Sequence, residues 1–108
     1  MITQLTAHEL KQRLDKNSDN KLVVLDVREP WERNICALPG ATDIPMREIP
    51  ARAAELPKDA EIVVLCHHGV RSQQVAAFLE RLGFARVNNL VGGIAAWARE
   101  VDPKMPTY

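Results

Sequence analysis

Cys66 directly follows the apolar run Glu61-Ile62-Val63-Val64-Leu65. It is followed by His67-His68-Gly69-Val70-Arg71-Ser72, after which a helical pattern begins. A thiol between a strand end and a helix N-terminus faces unpaired backbone N–H groups and the partial positive charge of the helix. Arg71 adds a full positive charge, and His67 and His68 are expected to add more. All of these favour thiolate over thiol, so the pKa of Cys66 is expected below the free value of ~8.5. Gly69 permits a backbone bend that other residues resist, so successive amides can point inward. The predicted product is a cradle of N–H groups with a sulfur nucleophile at its floor and room for an anion above it. The bland alternative is a small hydrophobe at a strand end. Strand, Cys, Gly, Arg and helix start occurring together favour the nucleophile.

These residues need a frame to hold them. Glu61 to Leu65 is short, apolar and β-branched, as is Leu22-Val23-Val24-Leu25 before Asp26. Both suit strands covered on two faces. Thr6-Ala7-His8-Glu9 reads as a capping box opening a helix on which Leu10 and Leu14 recur, and the polar stretch Asn17 to Asn20 ends it. From Arg28 to Pro45, three prolines (Pro30, Pro39, Pro45) and Gly40 predict a long loop with a short strand near Thr42 to Ile44. Glu48 to Leu56 predicts a short helix with Pro50 in its first turn, and Pro57-Lys58-Asp59 a turn. Ser72 is the expected cap of the next helix, on which Val75, Leu79 and Leu82 share a face and which Gly83 stops. Val87 to Leu90 predicts a short strand. Gly92-Gly93 leads into a helix over Ile94 to Val101, where Trp97 shares the core face, and Asp102-Pro103 ends it. Residues 102–108 are expected to form a loose tail. Strands alternating with helices predict one α/β domain over residues 1–108, with a central, mostly parallel sheet and helices on both faces. Ligands in such sheets bind beyond the carboxyl ends of the strands. That rule selects Asp26-Val27-Arg28 and Cys66 onward.

The length, 108 residues, is one domain's worth. Hydrophobic residues make up 46% and charged residues 26%, a globular rather than a disordered composition. Lys plus Arg and Asp plus Glu each number 14, so no basic excess points to nucleic acid or an anionic membrane surface. No apolar run approaches the ~20 residues a membrane helix needs. The opening Met-Ile-Thr-Gln-Leu-Thr lacks a basic region followed by an apolar stretch. A cytoplasmic location is therefore expected, with Cys36 and Cys66 as free thiols. The two cysteines form neither a CxxC pair nor a metal-spaced cluster, so no metal site is expected. A disulfide between them stays open at this stage, as does the oligomeric state.

Four segments taken in order resemble the rhodanese (sulfurtransferase) family in its single-domain form, over nearly the whole chain. Leu25-Asp26-Val27-Arg28-Glu29-Pro30-Trp31-Glu32 looks like the first motif of that family, and Leu38-Pro39-Gly40-Ala41 followed by Ile44-Pro45 like the second. Cys66 through Arg71 fits the six-residue loop C-x-x-G-x-R. Leu90-Val91-Gly92-Gly93-Ile94 with Ala96-Trp97 fits the closing motif. One departure stands out: where members often carry Gly-His before Pro-Gly-Ala, this chain has Cys36-Ala37.

The resemblance implies a chemistry. The Cys66 thiolate attacks the outer sulfane sulfur of a small anion such as thiosulfate, sulfite leaves, and cyanide, a thiol or an acceptor protein takes the sulfur from the persulfide. Two half-reactions imply ping-pong kinetics, with neither metal nor organic cofactor. Amides from His67, His68, Gly69, Val70, Arg71 and Ser72 would hold the terminal sulfur. Arg71 would meet the sulfonate of the donor, the alternative being an ion pair with a carboxylate such as Glu29 or Glu32. Asp26 and Arg28 would brace the loop rather than react. His67 and His68 either assist proton handling or merely flank a binding backbone. Cys36 is either a resolving thiol or a small buried residue, and Trp31 either lines the mouth or packs. Two rival functions are a non-catalytic rhodanese-like sulfur carrier or binding module, and a phosphatase or arsenate reductase. The latter need five residues between Cys and Arg, and only four separate Cys66 from Arg71.

Overall fold

The computed structural model describes residues 1–16 and 21–108. The expected helix end at Asn17 to Asn20 lies outside the described residues. The chain forms β1 (Thr3–Leu5), α1 (Ala7–Lys16), β2 (Leu22–Asp26), α2 (Pro30–Ile35), β3 (Thr42–Asp43), α3 (Ile49–Arg52), β4 (Glu61–Leu65), α4 (Val70–Arg81), β5 (Arg86–Leu90) and α5 (Gly93–Glu100), with 3-10 turns on either side of α3. The five strands make one sheet in the order β1-β5-β4-β2-β3, and every pairing is parallel.

The period-2 alternation of the strands sorts the core into two layers. Ile62 and Val64 of β4 pack with Leu25, Val87 and the α3–α4 residues Ile49, Val75, Ala76 and Leu79. Val63 and Leu65 face the other way, toward Leu10 of α1 and Ile94, Ala96 and Trp97 of α5. This is the two-sided burial that the unbroken apolar run of β4 predicts. The capping box at the head of α1 is present: the Glu9 N–H donates to Thr6 Oγ1 and the Thr6 N–H to Glu9 Oε1. Gly83, at φ +99°, ends α4 as expected. No helix among the described residues is long and apolar enough to cross a membrane.

Three expectations are corrected, and one strand, β1, was not foreseen. The segment expected as a loop from Arg28 contains a helix, α2. Pro30 opens it where its missing N–H costs nothing, and Glu32, two residues on, accepts from the Glu29 N–H at 3.0 Å. The strand β1 carries one buried residue in three and has too short a pattern to read. Ser72 does not cap α4. The helix starts at Val70 behind Gly69, and Ser72 is already inside it, buried. Residues 102–108 are not loose: Met105 and Tyr108 pack against the α1–α5 core layer, and Tyr108 makes side-chain hydrogen bonds to Arg28 and Glu32. A tail held by one aromatic and no periodic pattern leaves nothing in the sequence to find it by.

Candidate active site

The strand-to-helix joint after β4 places Cys66 at the floor of a loop. Gly69 adopts φ +103°, and the bend turns its own N–H onto the Cys66 Sγ at 3.1 Å, with the Ser72 N–H following at 3.4 Å. Burial pushes the Cys66 thiol up. Hydrogen bonds from the Ser72 hydroxyl and from the Ser72, Gly69 and His68 amides outweigh it, so the thiol titrates below its ordinary range. Ser72 has one hydroxyl proton for two acceptors, Sγ at 3.4 Å and Asn89 Oδ1 at 2.5 Å.

Cys66 is only 1% exposed. A reagent must therefore offer a terminal atom small enough to reach the floor of a ring of amides. A sulfane sulfur is such an atom, whereas a tetrahedral phosphate is bulkier.

The loop is tied to its neighbours from both sides. The Ile94 N–H donates to the Cys66 carbonyl at 2.9 Å and the Ala95 N–H to the His67 carbonyl at 3.1 Å. The first amides of α5 are thus satisfied by the Cys66 loop itself. Asn89 of β5 anchors the far side: its Nδ2 donates to the Gly69 carbonyl at 3.3 Å and to Gln4 Oε1 at 3.0 Å. Asn89 was not singled out in the sequence, although a buried Asn88-Asn89 pair in a core strand is itself a signal of polar partners.

Arg71 leaves the first turn of α4 and meets Glu32 of α2 in a two-pronged pair, Nη1 to Oε1 at 2.7 Å and Nη2 to Oε2 at 2.8 Å. Arg71 is the main cause that holds the Glu32 carboxyl far below its usual range, at about 2. Of the two carboxylates considered for Arg71, Glu32 is the one engaged. Glu29 pairs instead with Arg47. His67 is stacked between His68 and Tyr108, with ring centroids 3.9 Å apart on each side. Burial lowers its pKa, and its neighbour His68 lowers it further, so both disfavour the charged ring. His68 and Val70 are exposed, Val70 at 69%. Trp31 is 61% exposed and meets the Tyr108 ring edge-on.

Asp26, the last residue of β2, and Arg28 just after it are fully buried. Asp26 accepts from the Arg28 backbone N–H, Nε and Nη2, the last at 2.6 Å. Arg28 also donates to the Cys36 carbonyl at 2.8 Å and the Tyr108 hydroxyl at 3.2 Å. These contacts join β2, α2 and the C-terminal segment. Arg28→Ala is expected to destabilise the fold by about 3–5 kcal/mol, because it leaves the Asp26 carboxylate buried and unpaired. Chemical denaturation measures this, and a loss under about 1 kcal/mol would show that the pair is dispensable. Cys36 is buried, its Sγ 3.9 Å from Arg28 Nη1, and neither cysteine is in a disulfide.

A parallel α/β sheet with a buried cysteine in an amide-lined loop at its carboxyl edge defines a cysteine-loop α/β domain. Residues 6–100 match the family described as Rhodanese-like domain, and the chain belongs to that family. It is similar to a sulfurtransferase of Allochromatium vinosum, 41% identical over 103 residues that cover 95% of this chain and 94% of that one. It is also similar to YrkF of Bacillus subtilis, named for a sulfur-carrier role, at 37% identity. There it covers 94% of this chain but only 54% of its relative. A solved structure of a rhodanese-like domain protein from Staphylococcus aureus superposes with a TM-score of 0.82 at 30% identity, covering 99% of each chain. These relatives support a transferase of the sulfurtransferase kind.

Proposed function

We propose that the protein takes a sulfane sulfur from thiosulfate or a related small donor onto Cys66 and passes it to a thiophilic acceptor. The observation that carries this reading is the buried Cys66 Sγ under the Gly69 and Ser72 amides. In the first half-reaction the thiolate attacks the outer sulfur of thiosulfate. An S–S bond to Cys66 forms, the donor S–S bond breaks, and its electron pair leaves with sulfite. In the second, cyanide, a thiol or a protein acceptor attacks the terminal sulfur and the Cys66 thiolate is regenerated. The amides that favour the thiolate also suit the persulfide, because both place negative charge on sulfur in the same cradle. Arg71 has five N–H donors. Two are held by Glu32, which leaves three for the sulfonate of the donor. Asp26 and Arg28 hold the edge of the site and carry no chemical step. A reducing compartment suits a free thiol of this kind, so we place the activity in the cytoplasm.

The test is intact mass after incubation with thiosulfate. A gain of one sulfur, ~32 Da, removed by dithiothreitol, is expected of a cysteine nucleophile. An unmodified protein would leave a binding module as the better reading. Hydrolysis of an aryl phosphate without sulfur loading would turn the assignment to phosphatase chemistry.

A further inference from the structure

We infer that Tyr108 is a positioning residue for the Cys66 loop, holding Arg71 at the loop through Glu32 and packing its ring on His67. The inference rests on the reading of Cys66 as the sulfur-accepting nucleophile. Two ion pairs flank the loop, Asp26–Arg28 and Glu32–Arg71, and the Tyr108 hydroxyl is the atom that joins them. It accepts from Arg28 Nη1 at 3.2 Å and donates to Glu32 Oε2 at 2.6 Å. The same Oε2 accepts from Arg71 Nη2. A continuous path of hydrogen bonds therefore runs from Asp26, at the carboxyl end of β2, through Arg28, Tyr108 and Glu32 to the first turn of α4. The Tyr108 ring lies 3.9 Å from the His67 ring at 15°, near parallel, so the same side chain also covers the outer face of the loop.

The direction of the effect follows from the bonds. Without the hydroxyl, Glu32 loses a donor and Arg28 loses an acceptor in a buried place. The Glu32 carboxylate, left with the Glu29 N–H and Arg71, then draws the Arg71 charge away from both the thiolate and an incoming anion. A phenylalanine keeps the stacked ring, so Tyr108→Phe separates the hydroxyl from the packing.

The experiment has two arms. The first follows alkylation of Cys66 by iodoacetamide against pH, read by mass spectrometry on the peptide containing Cys66. Tyr108→Phe should move the midpoint upward by at least about 0.3 pH unit, since a charge near a thiol sets its pKa. The second measures thiosulfate kinetics, where KM should rise about 3- to 10-fold with kcat within about twofold. Both effects should vanish when Tyr108→Phe is made in an Arg71→Ala background, because residues acting through one another are not additive. Should Arg71→Ala not fold, Arg71→Lys takes its place, losing the two-pronged geometry while keeping the charge. A Tyr108→Phe protein that loses thermal stability but keeps the wild-type midpoint and KM would overturn the inference. So would effects that multiply independently of Arg71. The alkylation arm needs no sulfur transfer. A wild type that thiosulfate fails to load therefore refutes the sulfurtransfer reading while the pH midpoint still decides the role of Tyr108.

Discussion

Cys66→Ser is expected to abolish sulfur loading while leaving the fold intact. The serine oxygen fits the same floor and can accept from the Gly69 and Ser72 amides that now bond to Sγ. The cost in stability should stay near 1 kcal/mol, the scale of one altered buried hydrogen bond. The chemistry fails for a different reason. The cradle lowers the thiol pKa, but a hydroxyl starts many units higher and stays protonated. Sulfur transfer should fall by a factor on the order of 10⁴ or more, as when other enzymes lose their nucleophile. Intact mass and a steady-state assay read the two halves of the claim. Cys36→Ala belongs beside it. Cys36 lies against Arg28 and does not bond to the amides around Cys66, and this variant should load one sulfur as the wild type does. Loading that survives in Cys66→Ser and disappears in Cys36→Ala would move the nucleophile to Cys36.

The parts of this site that could be read in the sequence are those encoded locally. The β4 run, the Cys-to-Arg spacing, the bend at Gly69 and the stop at Gly83 each depend on a few adjacent residues, and each stands where the pattern put it. The supporting shell depends on residues far apart in the chain. Asn89 reaches Ser72 across 17 positions and Gly69 across 20, and Tyr108 reaches Arg28 across 80. No periodicity marks such partners. Glu32 shows where the line falls. Its place in α2 follows from Pro30 and the capping pattern, but its selection over Glu29 as the partner of Arg71 is a matter of how α2 packs beside α4. Ser72 shows the opposite case, a residue of the capping type that lies inside the first turn of its helix. A glycine in the left-handed region served as the cap, which freed the serine to turn inward toward the sulfur.

The same logic makes Gly93→Ala the most damaging single change to the backbone of the site. Gly92-Gly93 lies on the far side of β5 from Cys66 in sequence, and its closing motif has no chemistry of its own. Yet a Cβ at Gly93, which sits at φ +60°, would overlap the carbonyl oxygens of both Cys66 and His67. Those two carbonyls are the acceptors for the Ile94 and Ala95 N–H groups. An alanine must therefore push the start of the Cys66 loop away from α5 and break both bonds. Left-handed backbone costs a non-glycine residue about 1–3 kcal/mol, two lost hydrogen bonds add about 1–3 more, and the overlap is with backbone, which cannot swing aside. The total is expected to exceed about 5 kcal/mol, in the range reserved for severe disruption and comparable with the whole stability of a small domain. Gly40 supplies the control. It also has a positive φ, +79°, but a Cβ there meets nothing within 4 Å, so Gly40→Ala should carry the backbone strain alone, about 1–3 kcal/mol. Denaturant melts of the pair separate backbone strain from collision with the loop. If Gly93→Ala melted no earlier than Gly40→Ala, the loop would be free to shift, and its amides could not be the fixed cradle on which the ionised sulfur depends.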